Sequence, residues 1–404
     1  MVLNTANGDE RWHERYPELG TQPIPIESYV SESDFQLEKE RIFRRVWLNV
    51  GRVEELPNPG DYLVKDLPSC DTSLLLVRSE GGRVQAFHNV CSHRCNKLVW
   101  KTGSGSGRGF VCKFHGWTYG LAGELRFVPD EERYFGLRKD TLGLSPIATD
   151  VWQGFIFINL AKEPEETLEE YLGELGRELG QYPFAETSGS YYAWTTELRA
   201  NWKVFKDGFQ EVYHVPFLHK RSLPDSFSSK SNPMSHCLEM KLYPRHHRMS
   251  LYGNPDHVPT RVESLAFRFG SLVIRNAYTA GQLPPGVNPT KSLSWSLDIN
   301  VFFPNFFVDV ADGTYFTYNI WPLAVDRMAW EVRSYFPKAQ TPGQRFSQEY
   351  SKIVFRDALL EDAQTVEATQ SVLTSGAKTH FQLHDEELLI RHDHQVREEH
   401  TRRG

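Results

Sequence analysis

The chain has 404 residues, 40% hydrophobic, 24% charged and 13% aromatic; that length exceeds what one hydrophobic core organises and predicts two domains. Its formal net charge of −7 and pI near 6.1 argue against a nucleic-acid-binding footprint, and its longest apolar run, about Gly154 to Ala161, falls far below the ~18 residues a membrane span needs. Met1–Thr5 shows neither the basic nor the apolar segment of a secretory signal, and five cysteines without a pairing pattern suit a reducing, cytoplasmic setting.

Residues 1–30 are polar and proline-punctuated and read as an extended arm. Ser33 with Gln36 has the form of a capping box. Phe35, Ile42, Phe43, Val46 and Trp47 follow at helical spacing, which predicts a helix over Asp34–Val46. Residues 1–47 are expected to form an arm and helix, ahead of a β-rich domain over 48–160 and a larger domain over 161–404 on which the arm and helix would pack. In the β-rich stretch Tyr62–Val64, Ser73–Val77 and Val84–Phe87 are strand-like, with Gly81-Gly82 as a hairpin turn. Gly103-Ser104-Gly105-Ser106-Gly107-Arg108-Gly109 lacks the strand–loop–helix context and the Lys of a phosphate loop, and is expected to be a flexible loop. Trp152–Leu160 reads as a closing strand.

Two short stretches frame that glycine-rich segment: Cys91-Ser92-His93 and Cys112-Lys113-Phe114-His115. Each supplies one thiolate and one imidazole. A structural zinc site groups like ligands within each pair, whereas one Cys and one His per loop suits a two-iron cluster in which one iron takes both cysteines and the other both histidines, the Rieske [2Fe–2S] arrangement. A zinc knuckle on the same four residues is the alternative.

Pro164–Gly180 is acidic and helix-like, Tyr191–Leu198 reads as a strand, and 222–260 is Ser-, Pro-, Asn- and His-rich, predicting a long irregular region. Leu293–Val301, Phe306–Val310, Thr314–Ile320 and Met328–Phe336 predict an antiparallel sheet with a turn at Ala311-Asp312-Gly313. Within it Phe302, Phe303, Phe306 and Phe307 are read mostly as core filling. Arg345–Ser375 predicts a long helix with Phe346, Tyr350, Ile353, Val354, Leu360 and Ala363 on one side. The charged C-terminus, including His392 and His394, reads as a solvated helix face.

A second centre is expected on Asn201–His219. Trp202, Phe205, Phe209 and Val212 recur at helical steps, while Asp207, Glu211 and His214 share another face. Pro216 should end that helix, and His219 returns from the following turn. Two histidines and one carboxylate with open positions form the facial triad of non-haem Fe(II) oxygenases. Asp362 is the candidate carboxylate, and its neighbour Glu361 the rival.

These motifs together resemble the α-subunits of Rieske non-haem iron ring-hydroxylating oxygenases, over most of the chain. Cys91-Ser92-His93-Arg94 and Cys112–Tyr119 resemble the family's cluster motif, Asn201-Trp202-Lys203 with Glu211–His214 and His219 its catalytic motif, and Asp362–Glu367 the segment supplying the third iron ligand, which favours Asp362 over Glu361. The resemblance implies an α+β fold, with a Rieske domain followed by a helix-grip domain in which an antiparallel sheet embraces the long helix. It implies a cluster on Cys91, His93, Cys112 and His115, and an iron on His214, His219 and Asp362. It also implies a head-to-tail trimer in which Glu211 bridges His214 to His115 of a neighbour, with Asp207 as a supporting carboxylate. Glu211 stands where many members have Asp, Gly208 where many have Asn, and Cys95, expected to be a free buried thiol, where many have Gly.

The activity implied is O₂-dependent hydroxylation or dihydroxylation of an apolar, aromatic small molecule. Monooxygenation or demethylation of a non-aromatic substrate is the alternative, and a Rieske electron carrier the distant one. No dinucleotide fingerprint occurs, so NAD(P)H electrons would come through a partner reductase, with or without a ferredoxin. The α-chain does not reveal whether a β subunit accompanies it.

Overall fold

In a computed structural model, the described residues are 11–270 and 283–402. Met1–Thr5 and the rest of the first ten residues of the expected arm lie outside them. The chain divides into two units, one of 39–171 and one of 172–404 with the N-terminal 38 residues. Among the described residues no helix is long and apolar enough to cross a membrane.

The N-terminal segment is not simply extended. It forms short helices at Trp12–Arg15 and Glu27–Val30, and Ile24–Pro25 pairs with His380–Phe381. Helix α1 spans Glu32–Glu38 and widens into a π-turn at Lys39–Phe43. Its first turn is capped by Ser31, whose hydroxyl accepts from the Asp34 N–H at 3.2 Å; Ser33 lies inside the helix.

In the smaller unit, strands β1 (Leu48–Arg52), β2 (Asp61–Leu67), β3 (Thr72–Arg78), β4 (Val84–His88), β5 (Gly103–Ser106), β9 (Pro146–Trp152) and β10 (Phe155–Asn159) form an antiparallel sheet in the order β1-β10-β9-β4-β3-β2-β5. The short strands β6 (Phe110–Val111), β7 (Thr118–Tyr119) and β8 (Leu125–Phe127) make a second, three-stranded sheet. Leu74, Leu75, Leu76 and Val77 are all buried, the continuous apolar run of a strand covered on both faces. Two expectations change. The glycine-rich segment contributes edge strand β5, where a Cβ on Gly105 would lie 2.3 Å from the Tyr62 ring, so glycine there admits the aromatic side chain. Trp152–Leu160 crosses a tight turn at Gln153-Gly154, both at positive φ, and supplies the ends of two strands.

Helix α2 (Leu168–Leu179) is broken at Gly173, φ +56°. In the larger unit β11 (Ser190–Leu198), β12 (Glu239–Leu242), β13 (His247–Tyr252), β14 (Trp295–Phe302), β15 (Phe306–Ala311), β16 (Thr314–Ala324) and β17 (Arg327–Phe336) form a seven-stranded antiparallel sheet ordered β11-β17-β16-β15-β14-β13-β12. The region expected to be irregular thus supplies two strands, whose polar residues are satisfied in the ladder and in side-chain bonds such as Ser250 to Asp298, 2.6 Å.

The helices of this unit that bear on the site are α3 (Trp202–Gly208), α4 (Val215–Leu218), α5 (Arg261–Phe269), α6 (Pro342–Leu373) and α7 (Leu388–Arg402). The buried side of α6 is Ser347, Gln348, Ser351, Phe355, Ala358, Leu359, Asp362, Ala363, Val366 and Gln370, so Ala363 of the expected stripe faces inward. Phe346, Ile353 and Leu360 of the expected stripe are exposed. Inward polar residues on α6 bond to the surrounding backbone, as Gln370 does to the Asn201 N–H at 2.9 Å, and an apolar count alone misplaces such a face. The C-terminal helix is likewise not solvated on the expected side: His392, Asp393 and Arg397 are buried.

Buried charges fasten α3. Glu38 accepts from Lys203 Nζ at 2.6 Å and Trp202 Nε1 at 2.8 Å. Lys206 pairs with Asp393, which also holds Arg397 Nε at 3.0 Å. Tyr29 donates to Asp207 at 2.7 Å and accepts from Arg397 at 3.2 Å.

Candidate metal centres and the carboxylate cavity

In the smaller unit the two loops sort their ligands by kind. The Cys91 and Cys112 thiols are close enough for each to shift the other's ionisation, and the His93 and His115 rings lie 4.6 Å apart. Each loop contributes one member to each pair, so it is the crossing of the loops that brings like with like. The first loop leaves β4 and turns at Cys95, φ +56°; this position suits glycine, and the thiol there is exposed, not buried as expected. Gly116, φ +72°, turns the second.

Tyr119, unremarked among candidate site residues, holds the first loop: its hydroxyl lies 3.2 Å from Cys91 Sγ and accepts from the Ser92 N–H at 2.9 Å. Its place in the motif after Cys112 was the available signal. Trp117 stacks on His93 at 5.0 Å and 9°. Burial pushes the Cys112 thiol up, but the Phe114 N–H, Cys91 and Asn96 outweigh it and leave the thiol below its ordinary value. The buried Nδ1 of His93 has no hydrogen-bond partner. An unsatisfied ring nitrogen beside paired thiols and a second imidazole fits a two-iron cluster with two thiolate and two imidazole ligands.

In the larger unit Asn201 caps α3, its side chain accepting from the Lys203 N–H. The helix stops at Gly208 instead of reaching His214. Pro216 does not end it; Pro216 sits in the first turn of α4, where its missing N–H costs nothing. His214 and His219 flank that single turn as its two caps, which is how an i,i+5 pair converges, with ring centroids 5.2 Å apart. From α6, Asp362 Oδ1 reaches His219 Nε2 at 3.1 Å and His214 Nε2 at 3.6 Å. These three side chains are the one group among the described residues whose potential ligand atoms all lie within 4.8 Å.

The other nitrogens are taken. His214 Nδ1 bonds Glu211, and His219 Nδ1 bonds Glu361 at 2.9 Å, which also accepts from Ser222 at 2.6 Å. Glu361, the sequence rival of Asp362, therefore orients an imidazole. Second carboxylates on both rings favour Nε2 as the metal-facing atom. Burial disfavours charge on both imidazoles, yet Glu211 raises His214 and Asp362 raises His219. A pocket that favours positive charge fits a divalent cation on two imidazoles and a carboxylate.

A cavity of about 210 Å³ borders His214 and Asp362 of this trio, lined also by Asp207, Glu211 and Glu387 among mostly apolar residues. Asp207 is carried up to about 7 by burial, against the pull of Arg397 and the Tyr29 hydroxyl; one of its oxygens has no partner. Glu387 is pushed up to about 7 by burial and by the charges of Glu211 and Asp207, against the His384 N–H.

Comparison with known proteins recovers both domains. A family model described as "Ring hydroxylating alpha subunit (catalytic domain)" matches residues 185–402, and one described as "Rieske [2Fe-2S] domain" matches 46–146. The chain is 32% identical over 215 residues to the chloroplastic choline monooxygenase of Spinacia oleracea, covering 52% of this chain and 48% of that protein. It is 35% identical over 200 residues to the large oxygenase component of the naphthalene 1,2-dioxygenase system of Pseudomonas aeruginosa, covering 48% and 43%. It thus spans about half the length of these curated relatives. Among solved structures, the quaternary ammonium Rieske monooxygenase CntA superposes with a TM-score of 0.73 at 21% identity, over 94% of this chain and 95% of that one; at that identity the likeness establishes the fold.

Proposed function

Since the chain belongs to the ring-hydroxylating α-subunit family and carries a Rieske domain, we propose that it is the terminal component of a Rieske oxygenase, using O₂ and reductase-supplied NAD(P)H electrons to hydroxylate or dihydroxylate a small, largely apolar molecule. The observation that carries this reading is the convergence of His214, His219 and Asp362 in a chain that also brings Cys91, Cys112, His93 and His115 together.

Cys91, Cys112, His93 and His115 would hold the [2Fe–2S] cluster, and His214, His219 and Asp362 the mononuclear iron. When bound, the cluster supplies single electrons and the iron an open position for O₂. The protein's part is orientation. Glu211 and Glu361 would lock the two imidazoles with Nε2 turned toward Asp362, the orientation a metal on all three needs. The backbone N–H groups of the second loop favour the Cys112 thiolate, and the Tyr119 hydroxyl offsets part of the burial that raises Cys91. Glu211 would join His214 to His115 of a neighbouring subunit in a head-to-tail trimer, a role supported by its bond to His214 Nδ1, and Asp207 and Glu387 line the same cavity. The reductase, any ferredoxin and any β subunit would be separate chains, and five unpaired thiols fit a cytoplasmic setting.

The substrate has two readings. Aromatic dihydroxylation follows the naphthalene dioxygenase relative; monooxygenation or demethylation of a non-aromatic compound is favoured by the choline monooxygenase relative. A surrogate reductase–ferredoxin pair with NADH, run against a panel of both compound classes and scored by product mass, separates a gain of two oxygens from a gain of one or the loss of a methyl. A colourless protein holding zinc, with no iron or acid-labile sulfide, would overturn the oxygenase reading.

A further inference from the structure

His219 is gripped at both ring nitrogens by consecutive residues of one helix. Successive side chains on α6 diverge by about 100°, so Asp362 meets Nε2 at 3.1 Å while Glu361 meets Nδ1 at 2.9 Å. Such a grip fixes the ring only if the outer carboxylate is itself held. The Glu361 Oε2 atom that bonds His219 also accepts from the Ser222 hydroxyl at 2.6 Å, and its Oε1 lies 3.3 Å from Arg221 Nε. Ser222 reaches it because the chain turns once more beyond α4. The Leu223 N–H donates to the His219 carbonyl at 2.8 Å, which sets positions 219 and 222 on one side of that turn.

The two groups that hold Glu361 are unequal. The Arg221 side chain is 85% exposed, so water screens its charge. Ser222 is half-buried and the Glu361 side chain only 13% exposed, so the bond between them is charge-assisted and little screened. The other imidazole is served differently. Glu211 bonds the Nδ1 and the backbone N–H of His214, and among the described residues it takes no hydrogen bond from any other segment. The carboxylate behind His219 is therefore tied to its place by a second side chain, and the one behind His214 is not.

We propose that Ser222 is a positioning residue for the mononuclear metal centre: by holding Glu361 against His219 it keeps the imidazole proton on Nδ1 and the Nε2 lone pair turned to Asp362, and so sets the affinity of the trio for its metal. Without the hydroxyl, Glu361 is free to turn toward Arg221 and solvent, and the ring loses its fixed orientation. The inference rests on the reading of His214, His219 and Asp362 as metal ligands. Ser222 also lines a cavity of about 280 Å³, with Phe267, Tyr350 and Phe355, that none of the three ligands borders. A larger side chain at 222 therefore has space away from the metal site. Thr and Val have nearly the same shape and differ by the hydroxyl, so these two replacements separate the bond from the packing.

The test is a calorimetric titration with Co(II) of the full chain, carrying its cluster and stripped of mononuclear metal by chelation. The wild-type protein should bind Co(II) at a site that Asp362→Ala abolishes. Ser222→Val should bind it about tenfold or more weaker, and Ser222→Thr within about threefold of the wild type, both with an unchanged cluster spectrum. Arg221→Ala should cost less than about twofold. Wild-type affinity in Ser222→Val, an equal loss in the Thr and Val variants, or as large a loss in Arg221→Ala would each overturn the proposal. If Ser222→Val does not fold, Ser222→Ala takes its place, with the same loss expected and undiminished affinity overturning the proposal. No Co(II) binding by the wild type, or binding undiminished in Asp362→Ala, would remove the ligand reading and this inference with it. Substrate oxygenation with wild-type Co(II) affinity in Ser222→Val would sink this inference and leave the oxygenase reading standing. Affinity lost in Ser222→Val and restored in Ser222→Thr, without oxygenated product from any compound, would do the reverse.

Discussion

Cys91, His93, Cys112 and His115 hang from two loops whose supporting groups are near neighbours in sequence: Tyr119, Trp117, Asn96 and the backbone of the loops themselves. His214, His219 and Asp362 depend instead on segments far apart in the chain, such as Glu361, 142 residues from His219, and on a platform of buried ion pairs that runs from Glu38 to Arg397. The first centre is exposed at its tip, where Phe114 is 53% accessible; in the second, the side chains of His219 and Asp362 are only 4% and 10% exposed. The difference teaches where each is vulnerable. A loop site fails through its own ligands, whereas a helical site also fails through residues that never touch it.

The largest effect is expected at Asp362. Asp362→Ala should strip the mononuclear iron and lower turnover more than about 100-fold, while the visible spectrum and acid-labile sulfide of the cluster persist; loss of both metals together would show that the two centres are not built independently. Glu211→Ala should keep both metals by iron and sulfide analysis yet lose nearly all turnover, and wild-type turnover would refute its bridging role. Glu38→Ala leaves Lys203 buried without its partner and should cost about 3–5 kcal/mol, read as a fall in Tm. A shift confined to surface-pair size, below about 1 kcal/mol, would mean that the buried platform is not what holds the helical site.

The cavity acids give a pH signature the loop site lacks. Asp207 is raised to about 7 from an unfolded value near 4, so the folded state binds the extra proton between those values. Its contribution is complete below the unfolded pKa and is lost as pH rises through about 7. Asp207→Asn should therefore gain Tm relative to the wild type as pH rises from about 4.5 to 7.5; a pH-independent difference would contradict the raised carboxyl. The smallest effect belongs to the loops. Cys95 adopts φ +56°, and Cys95→Gly should stabilise by about 0.5–1 kcal/mol with an unchanged cluster spectrum; destabilisation would give the thiol a structural role.

Much of this was legible in the chain, and unevenly. Both short ligand pairs, and the sheet strands between 293 and 336, read directly from spacing and alternation. The N-terminal arm, the polar inner face of α6 and the burial of His392 did not, because in each case tertiary contacts override local pattern. Tyr29 and Arg397 are 368 positions apart, and no window of sequence contains both. The helix expected to run to His214 stops at Gly208, since Pro216 is as acceptable in the first turn of a new helix as it is beyond the end of an old one.

By itself, the sequence determined the chemistry: which side chains could bind metal, that thiolates and imidazoles came in mixed pairs, and that an acid late in the chain had to complete the second trio. Local chemistry depends on residue type and short spacing, which a sequence states outright. Only the tertiary structure decided the assembly. It crossed two loops so that cysteine met cysteine and histidine met histidine, and turned Asp362 to the two Nε2 atoms while giving Glu361 to an Nδ1. Those outcomes depend on which helix face a buried sheet accepts, a property of packing among segments hundreds of residues apart.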